Sequence, residues 1–320
     1  MITYAIDIQH ARKAFDGHVA VDDLSLQVPT GSVYGLLGPN GAGKTTTIRM
    51  ILDIIRPDEG SIALFGRPST EANVRDNVGY LPEERGLYKK MQVRRVLMFL
   101  AELKGVGTRE ASKRIDEWLA RFTLTGGDRD WGLAKVDELS RGMQQKVQFI
   151  ATLLHDPDLV ILDEPFSGLD PINAQALKDA VVELKARGKT VIFSTHVMEN
   201  AERMCDSVCI IAHGQKVLDG SIAEVKSEHG TQNLAVLLRD AKPEYAAVLS
   251  DPRLVAKVDN QQRFFEVELV PGADSQELLK GLVQSGATVE RFELIQPSLH
   301  QIFIQRVGAD NVEKGMSGHG

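Results

Sequence analysis

An α/β chain in two parts is predicted: a mostly parallel sheet core with an antiparallel β part and a helical insertion, followed by a small α+β domain. Three observations lead there. Over residues 1–225, strand-like apolar runs alternate with helical periodicities, the pattern of parallel strands covered on both faces. A glycine-rich loop lies between one such run and one such helix. Beyond a turn-rich stretch at 226–231, strands and short helices mix over residues 226–307.

Length and composition set the bounds. A chain of 320 residues is long enough for two domains, each with its own core and no need of disulfide or metal staples. The 44 acidic side chains outnumber the 37 basic ones, giving a formal charge of −7. No global basic field is available for phosphate backbones or anionic lipid, and no nucleic-acid partner is expected. The two cysteines, Cys205 and Cys209, form no zinc or redox spacing and read as buried, reduced thiols of a cytosolic protein. No signal-like start appears, and the apolar runs are far shorter than the roughly 18–20 residues that cross a bilayer, so a soluble chain is expected.

Taken in order, residues 3–8 and 24–28 alternate as strands, and Val33 to Leu37 is a buried strand that stops at Gly38. After Lys44, Ile48, Ile51, Leu52 and Ile55 recur at helical spacing until Pro57. Residues 84–155 are helical in period, with Val93, Val96, Leu97 and Leu100, then Ile115, Trp118, Leu119 and Phe122, and form the insertion. Strands return at 159–162, 191–193 and 208–211, separated by helices starting near Pro171 and Val197. In the second part, strands are predicted at 233–238, 264–270 and 288–295 and helices at 244–249, 275–283 and 298–305. The glycine-rich end, 308–320, is expected to be a disordered tail.

The loop is Gly38-Pro39-Asn40-Gly41-Ala42-Gly43-Lys44-Thr45, a full GxxxxGK[ST] match with a strand before it and a helix after it. Glycines let backbone N–H groups turn inward around phosphate oxygens, and the helix N-terminus adds partial positive charge. Lys44 is then expected to reach the outer phosphates of ATP and Thr45 to offer its hydroxyl to Mg²⁺, with Gly38 to Thr46 contacting the nucleotide. Asp163 and Glu164 end the apolar run 159–162, which puts two carboxylates at the C-terminal edge of a parallel strand, where such sheets bind ligands. Asp163 is the candidate Mg²⁺ ligand, and Glu164 the candidate base for an attacking water.

The residues between and after these motifs resemble the ATP-binding subunit of ABC transporters. Leu139-Ser140-Arg141-Gly142-Met143-Gln144-Gln145 resembles the signature sequence, Ser167-Gly168-Leu169-Asp170 the D-loop and Ser194-Thr195-His196 the histidine switch, all in family order. Phe15 resembles the aromatic that stacks on adenine. The resemblance implies a P-loop ATPase cassette in which two subunits face head to tail, each ATP lying between one phosphate loop and the other's signature. Ser140 and Gly142 would then meet the γ-phosphate in trans, Asp170 would touch the interface and His196 would sense the γ-phosphate. Capping offers a plainer role for two of these, because Ser140 opens a helix and Asp170 precedes Pro171.

The pattern is not perfect. Glu83 stands where the family usually has the glutamine that links Mg²⁺ to the helical insertion, and Arg141 and Met143 replace a glycine and a glutamine of the signature. Glu83 remains a hard-oxygen candidate for the metal. With the C-terminal extension ending Pro297-Ser298-Leu299-His300-Gln301-Ile302-Phe303, these features resemble a bacterial exporter branch that includes sodium-efflux and drug-resistance systems. Such a subunit would hydrolyse ATP as a homodimer, or as a heterodimer with a second cassette. It would be cytoplasmic and peripheral on the inner face of the cell membrane, docked through residues around 83–91 on a separate permease. Two other classes stand beside it: a soluble ATPase acting on ribosomes or DNA, and a regulatory module without turnover. The first would require a long coiled coil or a second cassette, and neither is found in this sequence.

Overall fold

The computed structural model describes residues 3–84, 86–127, 129–228, 233–240, 242–261, 264–295 and 297–308. Most of the expected tail lies outside them. The chain divides into two units, one running to Ile222 and the other spanning Ala223–Arg306.

The first unit opens with a long hairpin, β1 (Tyr4–Phe15) and β2 (His18–Pro29), turning at Asp16 and Gly17 with φ of 44° and 85°. A two-residue turn with both φ positive matches the twist of the flanking strands, and Asp-Gly is suited to it. The hairpin therefore carries both strands well beyond the 3–8 and 24–28 segments expected from alternation. Next come β3 (Val33–Leu37), buried throughout, and α1 (Lys44–Ile51). Strands β4 (Glu59–Leu64) and β5 (Arg67–Pro68) complete an antiparallel sheet ordered β2-β1-β4-β5.

After β6 (Val78–Leu81) the insertion follows as α2 (Val93–Leu103), α3 (Thr108–Arg121) and α4 (Arg141–Leu153). Apolar faces meet there: Val96 and Leu97 of α2, Ile115 and Leu119 of α3 and Phe149 and Ile150 of α4 are all buried. Trp118 stacks on Phe122 at 5.6 Å between centroids, and Phe149 meets both rings edge-on, a favourable aromatic arrangement.

The chain then completes a second sheet with β7 (Leu159–Leu162), α5 (Pro171–Ala186), β8 (Thr190–Thr195), α6 (Met198–Met204), β9 (Ser207–Ala212) and β10 (Gln215–Ser221). Its order is β10-β9-β3-β8-β7-β6, parallel except for the edge strand β10. Register decides where the chemistry collects. Leu37 pairs with Thr195, Leu162 with Phe193 and Leu81 with Leu162, so β3, β8, β7 and β6 all finish at one edge. Cys209 is buried and Cys205 nearly so, and burial pushes both thiols well above their ordinary range.

The second unit begins with α7 (Ile222–Glu228) and holds β11 (Asn233–Leu238), α8 (Pro243–Leu249), β12 (Val255–Gln261), β13 (Phe264–Leu269), α9 (Ser275–Gln284), β14 (Val289–Ile295) and α10 (Leu299–Val307). Its antiparallel sheet, ordered β12-β13-β11-β14, packs Leu234, Val236, Val267 and Leu269 against Leu278 and Leu282 of α9 and Tyr245 and Leu249 of α8. Strand β12 is polar along most of its length, and alternation did not predict it. Among the described residues, no helix is long and apolar enough to cross a membrane.

Candidate functional site

The site starts from a strand that cannot continue. At the end of β3, Gly38, Gly41 and Gly43 all adopt positive φ, and a Cβ on Gly43 would lie 2.4 Å from the Ala20 carbonyl oxygen. Only glycine fits that approach, and it lets the chain double back into α1. The first helical residue, Lys44, is thereby turned inward and is only 6% exposed. Its Nζ donates to the carbonyls of Gly38 and Pro39 at 2.8 and 3.0 Å and stands 3.6 Å from Glu164 Oε1. Burial pulls this ammonium down from its usual range, while the carboxylates of Glu164 and Asp163 push it back up.

Asp163 and Glu164 leave the end of β7 on different courses. Asp163 is 1% exposed, and its Oδ1 accepts from Thr45 Oγ1 at 3.3 Å and from Ser194 Oγ at 2.5 Å. The Glu164 N–H donates to the same Ser194 hydroxyl at 2.9 Å. Glu164 itself has φ of 46°, a strained value for a side chain of this size. The serine on β8 thus pins the residue on either side of the bend. Beyond it, His196 Nδ1 lies 3.0 and 3.1 Å from the two Glu164 oxygens. Against a carboxylate, which only accepts, Nδ1 is the donor in this contact.

Of these groups Lys44 and Glu164 line a cleft of about 480 Å³ together with Phe15, Asn40, Thr45 and Glu83, while Asp163, Ser194 and His196 stand behind that lining in contact with Thr45 or Glu164. Gly41, Gly43 and Thr46 line it too, whereas His18 and Ala20 line it without any sequence motif to mark them. Phe15 is 44% exposed, with Lys13 Nζ 5.5 Å from the ring centroid, so the ring offers an open face at the cleft rather than packing in the core. Glu83 follows β6 into the same space. Burial, and then the charges of Asp163 and Glu164, raise its carboxyl above the ordinary range. One ammonium therefore faces three carboxylates, and the cleft favours any added positive charge. A hydroxyl and a carboxylate in mutual contact, Thr45 and Asp163, are hard oxygen donors of the kind that Mg²⁺ takes beside phosphate and water. Among the described residues no three His, Cys, Asp or Glu side chains enclose a metal by themselves.

The remaining predicted residues gather elsewhere. Ser140 caps α4, its Oγ accepting from Met143 N at 3.3 Å. Asp170 caps α5, its Oδ1 accepting from Asn173 N at 3.0 Å, and these bonds hold its carboxyl below the usual range. The two helix starts touch at Gly142, where a Cβ would lie 2.7 Å from Asn173 Nδ2. Among the described residues lining the cleft, Ser140, Gly142 and Asp170 do not appear. Sequence reading gave Ser194 no role. A hydroxyl inside the fully buried run of β8 is the signal that marks it.

Comparison with known proteins gives the same outline. Residues 21–167 match the ABC transporter family and residues 220–307 match the C-terminal domain of DrrA1-3-like ATP-binding proteins. The chain is 44% identical over 304 residues to the ABC transporter ATP-binding protein YhaQ of Bacillus subtilis (strain 168), covering 95% of this chain and 99% of the relative. It is 34% identical over 316 residues to the daunorubicin resistance ATP-binding protein DrrA3 of Streptomyces coeruleorubidus, covering 97% and 98%. A solved ATP-binding subunit of an ABC transporter superposes with a TM-score of 0.64 at 30% identity, over 70% of this chain and 92% of that one. With its phosphate loop, strand-end carboxylates and extension all accounted for, the chain belongs to the ATP-hydrolysing, ATP-binding proteins of ABC transporters.

Proposed function

We propose that this chain hydrolyses Mg²⁺-ATP at a site completed by a second cassette, and that closure of that site drives export through a separate membrane permease. One observation carries the reading. Within a single chain Lys44, Thr45, Asp163, Glu164 and His196 are joined by direct contacts, whereas Ser140 and Asp170 bond to their own helix starts and reach none of that cluster in any bond described. A second copy, or a related cassette, can present those N–H groups and the Ser140 hydroxyl to the γ-phosphate. Export is supported by relatives named for drug resistance and by a Nod factor export ATP-binding protein of Burkholderia pseudomallei (strain 1710b), 41% identical over 218 residues, 68% of this chain and 70% of that one. The permease, and with it a location on the inner face of the cell membrane, is supported by membership of the transporter family.

The side chains then divide the work. Phosphate oxygens replace the Gly38 and Pro39 carbonyls and Glu164 as partners of Lys44 Nζ. Phe15 stacks on the base, and residues Gly38 to Thr46 wrap the phosphates. Thr45 and Asp163 would hold Mg²⁺, with Glu83 lining the same cleft as Thr45, and the ion would supply positive charge to the phosphates when bound. Glu164 accepts the proton of the water that attacks the γ-phosphorus, and the His196 Nδ1–H holds that carboxylate in place. Ser194 sets the angle between the two carboxylates through its paired bonds to Asp163 and Glu164.

Glu164→Gln keeps the shape of the base without its basicity, and should retain ATP binding while slowing turnover roughly 10²–10⁴-fold. Light scattering should then find a dimer with ATP and a monomer without it. A variant that stays monomeric with saturating ATP contradicts the shared site. Ser194→Ala removes the bond to the Asp163 carboxylate and the one from the Glu164 N–H, and should lower kcat about tenfold or more while KM for ATP stays within about twofold. Unchanged kcat would assign Ser194 to packing alone. For the transport role, the tagged protein recovered from its host's membranes in mild detergent should bring a polytopic membrane protein in stoichiometric amount, as mass spectrometry would detect. Recovery of ribosomes, or of no membrane protein, goes against the permease.

A further inference from the structure

Helix α4 carries three buried polar side chains on one face, Gln145, Gln148 and Thr152, which are 4%, 6% and 5% exposed. Their spacing of three and four residues sets them in a row along the helix. Each reaches a backbone carbonyl at the end of a neighbouring strand or in the loop after it. Gln145 Nε2 lies 3.4 Å from the Pro165 oxygen, one residue after Glu164. Gln148 Nε2 donates to the Glu84 oxygen at 3.1 Å, one residue after Glu83. Thr152 Oγ1 lies 3.2 Å from the Tyr80 oxygen, in β6 itself.

Gln148 is the costliest member of the row. A carbonyl can only accept, so its amide nitrogen must face Glu84, which turns Oε1 into the interior with no partner among the described residues. An apolar side chain would fill the same space without that penalty. What the amide adds is a fixed point on the loop next to Glu83, tied to the helix that starts at Ser140 and Gly142.

We propose that Gln148 is a positioning residue that fastens the Glu83 loop to helix α4, so that the helix bearing Ser140 and Gly142 and the loop bearing Glu83 move as one body. The proposal rests on the reading of Glu83 as a group facing the metal-bound nucleotide. Through this bond, a shift of α4 against the sheet carries Glu83 toward or away from Thr45 and Asp163, and the metal end of the cleft answers to the position of the signature helix.

The test uses the full chain and four variants: Gln148→Leu, Gln148→Met, Glu83→Ala and the double variant Glu83→Ala/Gln148→Leu. Mn²⁺ affinity of the ADP complex, read by electron paramagnetic resonance, needs no turnover, and steady-state ATP hydrolysis supplies kcat and KM. Gln148→Leu should weaken Mn²⁺ binding about three- to tenfold and lower kcat by a similar factor, with KM for ATP within about twofold. The double variant should be no worse than Glu83→Ala alone, because the bond acts only through that loop. Gln148→Met keeps an unbranched chain, should reproduce the Leu result and serves in its place if the Leu variant does not fold. Native Mn²⁺ affinity in a folded Gln148 variant overturns the proposal, as does the same loss repeated on top of Glu83→Ala. If Glu83→Ala alone binds Mn²⁺ as the native protein does, the reading of Glu83 falls. A loss persisting in Gln148→Leu would then show that the residue acts by another route.

Discussion

One ammonium set against three carboxylates at a single sheet edge is the constraint from which the rest of the cassette follows. Asp163 and Glu164 follow β7, Glu83 follows β6 and Lys44 opens α1 after the loop that leaves β3, and the parallel register brings those strand ends together. Such a grouping is expensive to bury, and three of its members are held by bonds that offset the cost: Lys44 by two carbonyls, the Asp163 carboxylate by Thr45 and Ser194, and the Glu164 carboxylate by His196 and Lys44. The excess negative charge suits the divalent cation proposed above.

A site of this kind is assembled from backbone ends, so its precision depends on what holds those ends. Glu164 sits at a left-handed bend that its own side chain does not favour, and the Ser194 hydroxyl fixes that bend from the neighbouring strand. From the other side, α4 reaches the segments after Glu164 and Glu83 through Gln145 and Gln148. The helix whose N-terminus is capped by Ser140 therefore also braces both carboxylate loops. Events at its start have a direct mechanical path to the chemistry.

Much of this was legible in the sequence, and the parts that were not have identifiable reasons. The phosphate loop, the apolar run before Asp163 and the histidine after β8 are local patterns, set by what a strand, a tight turn and a helix start each demand. The hairpin of β1 and β2 was read too short although Asp16-Gly17 marks its turn, because polar residues such as Arg12, Lys13, Asp22 and Asp23 interrupt the alternation near it. Strand β12, an edge strand carrying Lys257, Asp259 and Asn260, escapes alternation because Val255 and Val258 reach the core across a register shift between Val255 and Lys257. Ser194 and Gln148 escape for a different reason. Their bonds span 30 or more positions, and no local pattern records which carbonyl or carboxylate a buried hydroxyl or amide will meet. Ser140 and Asp170 show the reverse: their capping role is local and visible in the sequence.

The claim on which all of this stands is that Lys44 is held at the sheet edge to receive the phosphates of ATP. An equilibrium titration of ATP into the full chain and into Lys44→Ala, followed by calorimetry with thermal melting as the control for folding, tests it directly. The account predicts saturable binding to the native protein and a loss of about 10- to 100-fold or more in a folded Lys44→Ala, the scale of charge-assisted bonds to phosphate. Near-native affinity in the folded variant would contradict it.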